Sequence, residues 1–139
     1  MRLFRRRAAV PAIEYEDDDS MAVRVVAADP ARADSEVLVE AATAGLDLTG
    51  RLLVRHHLTL PGPSEVERAA ELLAQDGYRI SVAEPGPPVV VRAWRTQQLT
   101  ALSAAQERSR MAGLAQRLGG DVHGWDACAP SAGPDPAGR

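Results

Sequence analysis

The sequence predicts an α+β domain of the ferredoxin-like class, β-α-β-β-α-β, with a four-stranded antiparallel sheet and both helices on one face. A further strand and helix form an N-terminal extension. Three observations carry this. Short β-branched runs alternate with longer segments whose apolar residues recur at three- and four-residue spacing. Gly, Pro or a capping residue stands at most of the junctions. From Leu52 onward the two patterns follow in the order strand, helix, strand, strand, helix, strand.

The first run, MAVRVVAA from Met21, is a strand. Asp29-Pro30 offers an N-cap followed by a proline suited to the first helical position. Val37, Leu38 and Ala41 continue at helical spacing, and Gly45 supplies the stop. RLLVRHHLTLP is a strand ending at Pro61. PSEVERAAELLAQDGY carries a capping-box pattern, Ser64 with Glu67, an apolar stripe of Val66, Ala69, Ala70 and Leu73, and a terminator in Gly77. YRISVAEP alternates Tyr78, Ile80 and Val82 inward against Arg79 and Ser81 outward, a period of two.

EPGPP, Glu84 to Pro88, forces a turn before the strand VVVRAWRTQ. Thr100 caps a long helix reaching Leu118, with Met111, Leu114, Ala115 and Leu118 on one stripe. Gly113 inside it costs up to ~1 kcal/mol relative to Ala. Gly119-Gly120 ends that helix. DVHGWDAC closes the fold as an edge strand beside the first core strand, with Gly124 making a bulge or relieving crowding next to Trp125.

The chain of 139 residues has room for one domain, assigned to residues 21–128 with a ferredoxin-like core at 52–128. Residues 1–20 read as a disordered arm, because MRLFRRR and EYEDDDS are blocks of like charge that repel themselves and bury nothing. Met21, directly after the acidic run, offers an alternative start. Residues 129–139, APSAGPDPAGR, read as a disordered tail. With a net charge of −3 the chain has no overall basic character that would favour nucleic acid or a membrane surface; every basic side chain is Arg, which together with the Ala, Gly and Pro richness reads as a composition bias. The single Cys128 excludes an internal disulfide and points to a reducing, cytoplasmic setting. No apolar run approaches the ~20 residues of a membrane span. The apolar stretch after the leading arginines is too short and Pro-broken for a signal peptide.

Two chemical sites invite consideration. His56-His57 with His123 and Cys128 suggests a metal, but adjacent strand residues point to opposite faces and a closed zinc site needs four ligands. One His then packs beside Leu58 and Leu60 while the other points outward. Cys128 as a nucleophile needs a His base and an orienting acid. Strand parity places Asp126 on the side of Cys128 and His123 on the other. The sequence also lacks phosphate-loop and dinucleotide fingerprints. No catalytic residue, metal or cofactor is expected.

The sharper signal lies on the sheet. With Val54, His56, Leu58 and Leu60 facing the helices, Arg55, His57 and Thr59 face away. Val89, Val91 and Ala93 likewise leave Arg92 and Trp94 on the open side, joined by Arg79 and Ser81. Arg55, His57, Arg79, Arg92 and Trp94 thus form one candidate binding surface. Trp and Arg are enriched at interface hot spots, which favours a protein partner. The same place on an RNA-recognition sheet normally carries two or three aromatics, so direct RNA binding is the weaker reading. A small-ligand sensor of the same fold would also fit the pattern. So would a plain polar face with Trp94 covered by the N-terminal extension.

VRHHLTLP, AAELLAQDGYRISVAEP and LGGDVHGWDA, in that order over about Asp34 to Ala127, resemble the RraB family, the regulators of ribonuclease activity B. The first resembles the family's opening strand with paired His. The second resembles its helix closing on Gly-Tyr, and the third its Tyr-Asp-Gly-Trp signature. Val122-His123 replaces the family's Tyr-Asp here. The acidic C-terminal tail of some members is replaced by neutral residues, and the acidic run, Glu14 to Asp19, lies at the opposite end. The resemblance implies a non-catalytic inhibitor that binds ribonuclease E through the nuclease's scaffold region, and so an RNase E/G-type ribonuclease as partner in RNA decay, without a membrane.

Overall fold

The computed structural model describes residues 13–131. Among them the elements run β1 (Met21–Ala27), α1 (Asp34–Thr43), β2 (Arg51–Leu60), α2 (Pro63–Ala74), β3 (Arg79–Glu84), β4 (Val89–Gln98), α3 (Ala101–Arg117) and β5 (Asp121–Pro130). The α+β class holds, but the expected four-stranded sheet is corrected to five strands. They lie in the order β1-β5-β2-β4-β3, with every neighbouring pair antiparallel. β1 pairs along the outer side of β5, from Met21 opposite Pro130 to Ala27 opposite Trp125. It bonds backbone groups that β5 would otherwise expose as an open edge, so β5 is an internal strand and not an edge.

β2 sits at the centre and sets the two faces by its alternation. Leu58 and Leu60 pack with Ala69 and Leu73 of α2 and with Met111, Leu114 and Ala115 of α3. Leu52 and Val54 pack with Val37 and Leu38 of α1, Ala104 of α3 and Trp125 of β5. All three helices therefore lie on one face. Each fully buried Leu here contributes roughly 1.5–3 kcal/mol by leaving water. On the opposite face Leu53, Trp94 and Cys128 form a smaller cluster.

Local signals place the helices with two corrections. α1 begins at Asp34, because the Asp29 carboxylate accepts the Ala31 N–H at 2.9 Å and closes a turn instead of capping a helix. α2 has Gly62 at its N-cap and Pro63 in the first turn; the Ser64 hydroxyl bonds Glu65 rather than forming the expected box with Glu67. The Thr100 cap of α3 holds, with Ser103 as its reciprocal partner. Val82, expected inward, is 54% exposed, because β3 is the sheet's outer strand and bends near its end.

Only part of each expected arm falls within the described residues. Residues 1–12 and 132–139 lie outside the described residues. Ile13 to Ser20, however, crosses the helix-free face of the sheet, where its carboxylates meet arginines. At the other end Ala129 and Pro130 extend β5, and the Ser131 N–H donates to the Ser20 carbonyl at 2.7 Å.

Candidate functional site

Strand register decides which side chains meet on the helix-free face. Asp126 lies opposite Arg55, Arg55 opposite Trp94, and Trp94 opposite Arg79, a row running from β5 through β2 and β4 to β3. His57 opposite Arg92 and Arg92 opposite Ser81 form the next row. Side chains directly across neighbouring strands are in contact range. The structure thus brings Arg55, His57, Arg79, Arg92 and Trp94 together on one face. The Arg79 guanidinium lies 4.6 Å from the Trp94 ring centroid, and the indole N–H donates to the Ser81 hydroxyl at 2.8 Å.

That face is covered by the chain's own acidic segment. Asp17 stands between two arginines, accepting from Arg55 Nη1 at 2.8 Å and from Arg92 Nε at 2.7 Å, with its side chain 3% exposed. Glu16 takes both terminal nitrogens of Arg79 at 2.9 and 2.8 Å. Glu14 accepts from Arg51 at 2.6 Å, and the Tyr15 N–H donates to the Thr96 hydroxyl at 2.8 Å. The Tyr15 side chain packs against the cluster of Leu53, Trp94 and Cys128. Trp94 is consequently only 5% exposed.

Beneath the segment, Asp126 joins the cations to the sheet. Its carboxylate accepts from Arg55 Nε and Nη2 at 2.7 and 2.9 Å and from His57 Nε2 at 2.8 Å. Burial pushes this carboxyl up, but the hydrogen bonds from His57 and Arg55 and the charge of Arg55 outweigh it and hold it at about 2. The bonds Arg55 donates to Asp126, joined by the one it donates to Asp17, raise its guanidinium against the effect of its own burial. Arg51, Thr96, Tyr15, Glu16, Asp17 and Asp126 are the members that the sequence pattern left out of the surface. The acidic run was visible as charge, but nothing local said where it would lie.

The arrangement works against nucleophilic chemistry at Cys128. Its thiol is 1% exposed and pushed up to about 12 by burial and by the nearby charge of Asp126. His123 is not on the opposite face as parity suggests. The ladder between β2 and β5 shifts register between His56 and Leu58, where His123 and Gly124 together oppose His57. This bulge turns the His123 ring to the helix-free side, 3.1 Å from the Thr59 hydroxyl. Gly124 has φ +107°, and a Cβ there would lie 2.3 Å from the Ala27 carbonyl oxygen, so the bulge also lets β1 approach.

The His pair divides as expected, His57 outward and His56 inward at 1% exposure. His56 meets Glu107 of α3 at 3.3 Å, and Gln97 and Arg95 donate to the same carboxylate at 2.7 and 3.3 Å. Burial works against the Glu107 charge, and the bonds from His56 and Gln97 outweigh it and lower its pKa. Arg95 in turn stacks 4.2 Å over Tyr78. Each charge in this cluster is thus paired, which is what fastening α3 to the sheet requires. Among the described residues no group of three or more His, Cys, Asp or Glu is placed to hold a metal ion. No helix among them is long and apolar enough to cross a membrane.

With this geometry in place, one family model matches the chain: Regulator of ribonuclease activity B, over residues 31–127. No curated protein and no solved structure matches it.

Proposed function

The chain belongs to the RraB family, the regulators of ribonuclease activity B, and from that premise we propose that it is a cytoplasmic, non-catalytic regulator that binds an RNase E/G-type ribonuclease. The match over residues 31–127, which spans α1 to β5 up to Ala127, is the observation that carries this reading. On this reading β2 to β5, in the spatial order β5-β2-β4-β3 with α2 and α3 on one face, form the ferredoxin-like unit. Its helix-free face, with Arg55, His57, Arg79, Arg92 and Trp94, is the contact surface. Regulation is by occupancy: the bound protein covers nuclease or scaffold surface that RNA or other partners need.

Two features support a protein partner over RNA. Carboxylates seat on this face, whereas a single Trp there stacks on an arginine and leaves no run of aromatic platforms for bases. The experiment is co-precipitation of an RNase E/G-type enzyme, identified by mass spectrometry, with the full-length chain, followed by RNA cleavage by that purified enzyme with and without it. Slower cleavage on addition of the chain is expected. A nuclease that neither binds the chain nor changes its rate overturns the reading.

A further inference from the structure

The segment that covers the sheet is built like a ligand. Its residues alternate in role: Glu14, Glu16 and Asp17 each take a different arginine or pair of arginines, while Tyr15 between them enters the apolar seat formed by Leu53, Trp94 and Cys128. The Tyr15 backbone N–H is bonded as well, to Thr96. These contacts join residues 37 to 81 positions apart in sequence, so chain continuity does not impose them. With the segment lifted, Arg51, Arg55, Arg79 and Arg92 face solvent, and Asp126 alone of the sheet carboxylates bonded to them remains to balance the cations. Such a face is left with excess positive charge and an uncovered Trp.

We propose that the helix-free face of the sheet forms a receptor groove for an extended acidic peptide with an aromatic residue between its carboxylates, that the partner protein supplies such a peptide, and that residues 13–20 occupy this groove as an intramolecular competitor. The inference rests on the protein-binding reading above and names the chemistry of its partner. The spacing favours peptide over nucleic acid, because the seat uses a backbone N–H and one side chain between charges that a phosphodiester strand does not offer. A tethered competitor acts at an effective concentration of the order of millimolar. The groove of the resting chain is therefore closed to weak acidic segments and opens to those that match it better.

The test uses the full-length chain and a fluorescein-labelled peptide with the sequence of residues 13–20, IEYEDDDS. The triple variant Glu14→Gln/Glu16→Gln/Asp17→Asn, checked for folding by circular dichroism, is expected to bind the peptide about tenfold more tightly than wild type, since its own segment no longer competes at ~millimolar effective concentration. Glu16→Gln alone, at a solvent-exposed pair of the kind that adds little to folding stability, gives a smaller gain in the same direction and serves if the triple variant does not fold. A peptide with Ala in place of its Tyr binds more weakly. Equal binding by variant and wild type, no binding by either, or displacement of the peptide by oligouridylate more readily than by unlabelled peptide each overturns the proposal. Nuclease co-precipitation is scored separately: nuclease bound without any peptide binding rejects the groove and leaves the regulator reading standing.

Discussion

Replacing Asp126 by Asn removes the charge that holds Arg55 and His57 on the sheet while keeping the side chain's shape. The carboxyl stands at about 2 in the fold against 3.8 for an ordinary aspartate, a gap worth on the order of 2 kcal/mol at neutral pH. The residue is 7% exposed, so solvent does little to screen that figure. Because the folded value is the lower one, this stability is fully present above about pH 4 and is lost as pH falls toward 2. Urea unfolding of wild type and Asp126→Asn, followed by tryptophan fluorescence, is the assay. At pH 7 the variant is expected to be about 2–3 kcal/mol less stable, since it leaves a largely buried arginine with Asp17 alone. Between pH 4 and pH 2 the two proteins converge, because wild type loses by protonation what the variant lacks already. A difference that stays constant from pH 7 to the lowest pH at which both fold, or no difference at pH 7, refutes the assignment of Asp126 as the anchor of the cationic face.

Three further outcomes follow from the packing. Gly124→Ala places a Cβ 2.3 Å from the Ala27 carbonyl oxygen at a φ of +107° and should cost more than about 3 kcal/mol or prevent folding; a melting temperature within ~2 °C of wild type would falsify the bulge geometry. Leu73→Ala, at 0% exposure, is expected to lose about 2–5 kcal/mol, whereas Leu102→Ala, 68% exposed on α3, changes stability by less than ~0.5 kcal/mol; similar losses at both sites contradict the described core. Cys128 should resist iodoacetamide at pH 8 in the native protein and react on unfolding in urea; rapid native labelling shows that the thiol is neither buried nor held protonated.

Much of the architecture was legible locally. The alternation in VRHHLTL assigned His56 to the core and Arg55 and His57 to the other face, and the strand positions of Arg92 and Trp94 followed by the same rule. Capping residues were less decisive. Asp29 and Ser64 satisfy the composition of an N-cap, yet each side-chain oxygen found a nearer partner, and the helices begin elsewhere. His123 shows how one residue in a bulge defeats parity: inserting an extra position reverses every inward and outward assignment beyond it until the register is regained.

The candidate surface was legible as a set of residues and illegible as a state. Side-chain direction along one strand follows from backbone geometry over two residues, so the five residues could be placed on one face from the sequence. Whether that face is open depends on a segment that meets Arg92 across 75 positions and Arg79 across 63. In isolation EYEDDDS repels itself, and against the sheet the same charges neutralise arginines and Tyr15 packs half-buried on Leu53, Trp94 and Cys128. By itself, then, the sequence determined the α+β class, the element order, the two faces of β2 and the family motifs, because each is written in contacts a few residues long or in the motif itself. Only the tertiary structure decided that β1 extends the sheet past β5, that His123 turns to the helix-free side and that the acidic segment closes the arginine face. Those depend on which distant groups win the competition for unpaired backbone edges and buried charges, a balance struck across the whole fold.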